Sequence, residues 1–267
     1  MLKTRILLIG SAAVLVGLLF LLPKAVVENQ SEIAQNEQQN TIPESHQSLS
    51  PSDQNRIKRL RTAVGEGALV ENNAIFADSL ANLYVSAGRF DSAALYKEKL
   101  ASFFGTPDRQ VQAGDAWYQA FTFSLDPEKR SEFALKAQDF FKSALEKEPS
   151  NADIKVKLAL TYMGTSSPMQ GVGLLREVLA TQPKHEKALQ NMGMLSLQSG
   201  QFAKAVEWLT RLTEAYPENI EGQLLLGAAF AGARDKEKAR AQYERTRTMT
   251  NDPAVQQQLD QYIKDLK

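Results

Sequence analysis

The chain has 267 residues, of which 43% are hydrophobic, and its 31 Lys and Arg residues balance 31 Asp and Glu residues. This balance leaves no overall electric field that would attract nucleic acid or an anionic surface. With two histidines and no cysteine, the chain has almost no material for a disulfide, a thiol nucleophile, a histidine triad or a metal cluster.

An apolar run begins the chain. Residues 6–22 contain no charged residue and follow Lys3 and Arg5. A helix of that length spans about 25 Å, close to the bilayer core of about 30 Å. The positive charges before it indicate that the N-terminus stays in the cytoplasm. We therefore predict a single-pass anchor over residues 1–24 in a bacterial inner membrane, with the rest of the chain in the periplasm. The pattern also suits a signal peptide, so a soluble secreted protein released by cleavage is the alternative.

An acidic, polar segment follows the apolar run. Residues 25–55 contain five Asp or Glu residues and no Lys or Arg, and they are rich in Gln, Asn and Ser. A segment with so little apolar surface does not fold by itself. We therefore predict a flexible linker over residues 25–52, with an r.m.s. reach of about 30 Å. A helix is predicted over residues 53–73, where it covers the first face of the domain that follows.

Small residues and prolines recur every 34 residues in the C-terminal part of the chain. The three sets are Ala159, Gly193 and Gly227; Gly171, Ala205 and Ala239; and Pro149, Pro183 and Pro217. Small side chains let two helices approach closely, and proline ends a helix because it lacks a backbone N–H. The pattern therefore predicts pairs of antiparallel helices joined by short turns.

A 34-residue helix-turn-helix period with these residues resembles the tetratricopeptide repeat. An earlier copy places Ala81, Gly88 and Ala93 in the matching positions, although Lys97 stands where a large apolar residue is usual. The resemblance implies an all-α fold in which five repeats over residues 74–251 stack into a right-handed solenoid. The predicted transmembrane helix precedes this solenoid.

Two segments depart from the regular repeat. Gly114 and Ala137 are 23 residues apart where the other repeats have 12. This spacing places an insertion near residues 122–132, either a plain loop or a projecting element that changes the binding surface. Residues 252–267 are predicted to form a capping helix that begins at Asp252, because a solenoid must cover the apolar face of its last repeat.

Proteins of this family bind partners along a groove lined by the first helix of each repeat, and the resemblance implies which side chains face it. The predicted groove residues are Asn82, Tyr118, Val156, Leu160, Met163, Met194, Leu197 and Leu224. The C-terminal part of this groove is apolar and suits an amphipathic or extended apolar segment; the alternative is that some of these side chains belong to the core. The lysines with which chaperone-binding members grip a carboxylate are absent, because Asp78, Val156 and Gln190 occupy those positions.

The sequence contains no phosphate-binding loop, HExxH metal motif or nucleophile elbow. We therefore expect no catalytic, cofactor-binding or metal site, no small-molecule substrate and no nucleic-acid partner. The expected function is that of a protein-interaction scaffold or adaptor, held at the membrane by residues 6–22. Cytochrome c maturation, secretion and envelope assembly are processes that use proteins of this architecture.

Overall fold

The computed structural model describes residues 50–65 and 69–266. The predicted membrane anchor and nearly all of the predicted linker lie outside these residues. Within them, the chain folds into twelve α-helices and no β-strand. The helices are α1 Pro51–Val64, α2 Glu71–Ser86, α3 Phe90–Phe104, α4 Pro107–Phe123, α5 Pro127–Lys147, α6 Ala152–Met163, α7 Pro168–Thr181, α8 Glu186–Gln198, α9 Phe202–Ala215, α10 Ile220–Gly232, α11 Lys236–Thr248 and α12 Pro253–Asp265. None of these twelve is long and apolar enough to cross a membrane.

The first helix, α1, is shorter than the helix predicted over residues 53–73. It ends at Val64 because Gly65 turns the chain with a φ of 74°, a conformation that favours glycine. Helix α2 then begins at Glu71. The side chain of Asn73 on α2 donates a 2.9 Å hydrogen bond to the Val64 carbonyl. Because the connection is short, α1 packs antiparallel against α2.

Helices α2 to α11 form five helix-turn-helix pairs, and each pair packs against the next. The first helices of the second to fifth pairs also touch in succession: α4 with α6, α6 with α8 and α8 with α10. Over the described part of the chain, no second helix contacts another second helix. The array is therefore curved, with the first helices on its inner side and the second helices on its outer side.

Small residues set the distance between the two helices of a pair. A Cβ atom added to Gly193 would lie 2.5 Å from Leu209 Cδ2, and one added to Gly227 would overlap the Tyr243 ring. Leu209 and Tyr243 are both buried, so neither large side chain has room to move away. The close approach that the 34-residue pattern predicts is thus confirmed in these two pairs.

The turns within the first, fourth and fifth pairs use the left-handed backbone conformation. Gly88 and Gly200 have φ values of 69° and 68°, and Arg234 has a φ of 63° at the matching place in the last pair. Between pairs, the side chains of Asn151 and Asn219 cap α6 and α10, as expected for N-cap residues. Arg234 therefore carries a backbone strain that glycine avoids in the turns of the first and fourth pairs.

The insertion in the second pair is entirely helical. Helix α4 continues for nine residues after Gly114, where α8 continues for five after its small residue. Helix α5 begins ten residues before Ala137, where α9 begins three before its own. The turn, residues 124–126, keeps the length of three residues that the turn between α8 and α9 has. We call residues 120–133 the projection, because these extra helical turns extend about 6–10 Å beyond the neighbouring turns.

Helix α12 closes the C-terminal end of the array. It begins where the side chain of Asp252 accepts a 2.8 Å hydrogen bond from the Ala254 N–H. Leu259 is fully buried and forms a cluster with Ala239 and Tyr243 of α11. The helix thus covers the last pair with one apolar face.

Candidate partner-binding groove

The inner surface of the array carries the predicted groove residues, and their exposure differs along it. Asn82 is exposed, whereas Leu160 and Met194 are half-buried and are not among the side chains that form or cover the core clusters. Met163 and Leu197 are also half-buried but pack against the core formed by α6 to α10. Leu160 and Met194 are therefore the large apolar side chains of the predicted groove that remain most available to a partner.

Three other predicted groove residues contribute to the core. Val156 is 1% exposed and lies in the same cluster as Ala188 and Leu189 of α8. The next repeat covers it, so the structure corrects the prediction that Val156 faces a partner. Tyr118 packs against the core of α4 and α5, and this burial raises the pKa of its hydroxyl. Leu224 packs against the cluster at α12, so both residues offer only part of their surface.

The polar part of the inner surface contains an ion-pair network. Asp78 on α2 accepts hydrogen bonds from Lys97 Nζ at 2.7 Å and from Arg109 Nη1 at 3.3 Å. Burial disfavours the charged carboxylate, but the hydrogen bonds and charges of Lys97 and Arg109 outweigh it, so the pKa of Asp78 lies below its usual value. Lys97, which departs from the repeat pattern, thus has its partner within its own helix pair.

A second ion pair joins the second and third repeats. Lys157 Nζ on α6 lies 2.6 Å and 2.5 Å from the two carboxylate oxygens of Asp115 on α4. The acidic groups at the two inner positions, Asp78 and Asp115, therefore already have cationic partners. A ligand would have to compete with these contacts, so neither carboxylate is well placed to attract a basic segment.

Four apolar side chains on α6 and α8 form what we call the apolar strip: Leu160, Met163, Met194 and Leu197. The two helices that carry them are in contact, so the strip crosses from the third repeat to the fourth. Met194, which does not pack against the core clusters, has a flexible side chain that adapts to the shape of a partner. Covering such an apolar surface with another apolar surface lowers the free energy.

An open depression on the edge between repeats is explained by the packing of a turn and not by a binding site. It lies beside the turn of residues 182–185 and the start of α8, with Tyr216 on its wall. The Tyr216 hydroxyl donates a 2.8 Å hydrogen bond to the Lys184 carbonyl, and His185 Nδ1 accepts the Ala188 N–H at 3.4 Å, which caps α8. These polar groups hold the turn in place.

Within residues 50–65 and 69–266, no group of His, Asp and Glu side chains could hold a metal ion.

The projection exposes apolar residues that the sequence did not single out. Phe123 is 60% exposed and Leu125 is 76% exposed. The sequence did contain a signal that the projection is helical, because Asp126 followed by Pro127 is a favoured start of a helix. The side chain of Asp126 indeed accepts hydrogen bonds from two backbone N–H groups at the start of α5.

The described helices define a class of fold, an α-solenoid in which each helix pair contacts its neighbours along one direction. Residues 170–229, from α7 to α10, match the family model of the tetratricopeptide repeat. These residues therefore carry tetratricopeptide repeats, as the 34-residue period indicates.

Solved structures share this fold. A tetratricopeptide repeat protein from Parabacteroides merdae matches with a TM-score of 0.56 over 79% of this chain and 80% of that one, at 14% identity. A MamA structure from Desulfovibrio magneticus matches with a TM-score of 0.50 over 66% of this chain and 94% of that one, at 16% identity. At such identities the likeness concerns the fold alone. None of the curated proteins that were compared matches the sequence.

Proposed function

We propose that this protein is a non-enzymatic scaffold or adaptor that is tethered to the inner membrane and presents the apolar strip to a protein segment in the periplasm. The processes that we propose for it are cytochrome c maturation, secretion or envelope assembly. The observation that carries the proposal is that Leu160 and Met194, two large apolar side chains on neighbouring inner helices, are left partly exposed.

The dimensions of the strip limit the size of the segment that it binds. Neighbouring packed helices lie about 8–10 Å apart, so a segment that crosses α6 and α8 makes contact over about two turns of helix or three extended residues. Because the carboxylates at the inner positions of the first two repeats are paired, the segment is recognised by apolar contacts. An amphipathic helix or an extended apolar stretch has the required chemistry.

Membrane tethering and the periplasmic location are supported by the sequence. As a helix, the uncharged run of residues 6–22 would span about 25 Å, close to the bilayer core of about 30 Å. Lys3 and Arg5 precede it, which favours an N-terminus in the cytoplasm and a solenoid on the other side.

Site-specific crosslinking tests the groove. A photo-crosslinking amino acid in place of Met194 should capture a partner in cells, and Leu160→Glu on the neighbouring helix should abolish that capture because it places a charge in the apolar contact. Leu95→Glu is the matched control, since Leu95 is 47% exposed on the outer helix α3, and it should leave capture unchanged. Equal capture in all three proteins would remove the groove from the proposal.

Protease accessibility tests the location independently of the groove. Protease added to spheroplasts should digest the solenoid while intact cells protect it, and the mass of the membrane-bound chain should include residues 1–24. A shortened chain recovered without detergent would favour the secreted alternative. A solenoid that resists the protease until the inner membrane is broken would contradict the periplasmic location.

A further inference from the structure

The apolar tip of the projection has no role in the proposed groove. Leu125 is 76% exposed and Phe123 is 60% exposed. The ring of Phe123 stacks on Phe90 of the preceding pair, with 4.5 Å between ring centroids. On the other side, Phe121 packs so closely against the next pair that a Cβ atom at Gly164 would overlap its ring. The tip is therefore supported by both neighbours, so its exposed side chains are presented in a fixed position.

The described part of the chain begins, at Ser50, on the same edge of the solenoid. Val64 at the end of α1 is bonded to Asn73 near the start of α2, and Arg61 Nε donates a 2.6 Å hydrogen bond to the hydroxyl of Tyr84 near the end of α2. Because α1 runs antiparallel to α2, Ser50 lies toward the end of α2. That end belongs to the edge at which paired helices turn, and the projection extends from this same edge.

We infer that Phe123 and Leu125 insert into the lipid interface of the membrane to which the chain is tethered. The inference rests on the proposed anchor at residues 6–22. The predicted linker has an r.m.s. reach of about 30 Å, which is short enough for this edge of the solenoid to meet the bilayer. An aromatic ring and a leucine on a protruding turn suit the interfacial region, where apolar bodies leave water without crossing the membrane. Because the proposed anchor already attaches the chain to the membrane, the contact of the tip with lipid is intramolecular, so even a weak contact is effective.

Charges around the tip indicate what kind of lipid it needs. Asp126 and Glu128 stand beside Lys129 and Arg130, so both signs are present. The Asp126 carboxylate accepts the N–H groups of Glu128 and Lys129 at 2.9 Å and 3.3 Å, and the Arg130 guanidinium lies over the Phe121 ring at 5.3 Å. The contact depends on apolar insertion rather than on attraction to anionic lipid, so it forms on zwitterionic phosphatidylcholine.

The second contact has a consequence for the groove. A flexible tether alone leaves the solenoid free to rotate above the bilayer. Insertion of Phe123 and Leu125 would fix the edge that faces the lipid, and with it the direction in which the apolar strip opens.

A single fluorescent label tests the inference, since the chain contains no cysteine. Leu125→Cys in the full chain is coupled to an environment-sensitive dye and reconstituted in phosphatidylcholine vesicles that contain a lipid with a nitroxide on its headgroup. We expect loss of emission through quenching by the nitroxide and protection from iodide in the water. Leu95→Cys on the outer helix α3 is the matched control and should show neither effect. Adding Phe123→Ser to the Leu125→Cys chain should reduce the nitroxide quenching. Because Phe123 is 60% exposed, loss of its stacking on Phe90 should lower the melting temperature only slightly.

Flotation of the unlabelled full chain with the same vesicles reports on the anchor separately. If the chain floats but the label at position 125 behaves like the label at position 95, the inferred contact of the tip is overturned and the anchor stands. A chain that does not float removes both the anchor and this inference.

Discussion

Lys97 on α3 and Asp78 on α2 form a hydrogen-bonded ion pair of 2.7 Å at a position where the repeat pattern expects an apolar side chain. The Lys97 side chain is only 16% exposed, and Asp78 is 36% exposed. Arg109 from the next pair contacts the same carboxylate at 3.3 Å. The carboxylate therefore links two repeats as well as the two helices of one pair.

Asp78→Asn should lower the free energy of unfolding at neutral pH by about 1 kcal/mol, a modest value because water partly screens this pair. Folding lowers the pKa of Asp78 below 3.8, so its stabilising contribution is present above that value and is lost as the pH falls through the folded pKa. Urea unfolding of both proteins at neutral pH and at pH values below 3.8 measures the difference. Glu146→Gln, at an exposed site, is the control. If Asp78→Asn changed the free energy of unfolding by the same amount at every pH, the predicted link between the Asp78 pKa and stability would be contradicted.

Gly193→Leu should destabilise the solenoid by about 1–3 kcal/mol, because the new side chain must displace the buried Leu209. Gly173→Leu is the matched control, since a Cβ at Gly173 meets nothing within 4 Å. That control should gain about 0.5–1 kcal/mol from helix propensity. Thermal or urea unfolding distinguishes the two variants, and similar stabilities would reject the packing described for the fourth repeat.

Arg234→Gly should stabilise the last repeat by about 1 kcal/mol, because a left-handed φ costs a non-glycine residue about 1–2 kcal/mol. The reciprocal change, Gly200→Arg in the preceding repeat, should destabilise by a similar amount. Both are measured as shifts in the urea midpoint. Two shifts of the same sign would show that the turn conformation is not their cause.

Val156→Ala and Leu160→Ala separate the core from the groove on one helix. Val156→Ala should cost about 1–3 kcal/mol of stability because it leaves a cavity between α6 and α8. Leu160→Ala should cost less than about 1 kcal/mol, since part of its side chain is in water. Under conditions in which both variants are equally folded, Leu160→Ala should reduce partner capture more than Val156→Ala does. Equal reductions in capture would argue against the groove.

The paired helices could be predicted from the sequence because their determinants are local and periodic. Gly193 and Gly227 mark the close approach of two helices, and their spacing repeats without change. The helical form of the insertion had a local signal in Asp126 and Pro127, but the long spacing alone was compatible with a loop. Resemblance to a family pattern supplied the groove positions.

Exposure along the groove could not be predicted in the same way. Whether Val156 faces water or the next repeat depends on the angle between α6 and α8, which is the sum of many small side-chain contacts. The partner of Lys97 was equally hidden, because Asp78 lies 19 residues earlier on another helix. Such pairings depend on rotation between helices and become visible only in three dimensions.

The length of the projection also controls rotational phase. Each residue advances a helix by about 100°, so the four residues added to α4 and the seven added to α5 amount to about one and two full turns, within about 40°. The two lengthened helices therefore present nearly the same faces to each other at the tip as at the base, and a three-residue turn still joins them. Adding or removing two residues in one helix would rotate its end by about 160–200°, so changes in this element are tolerated in steps of whole turns.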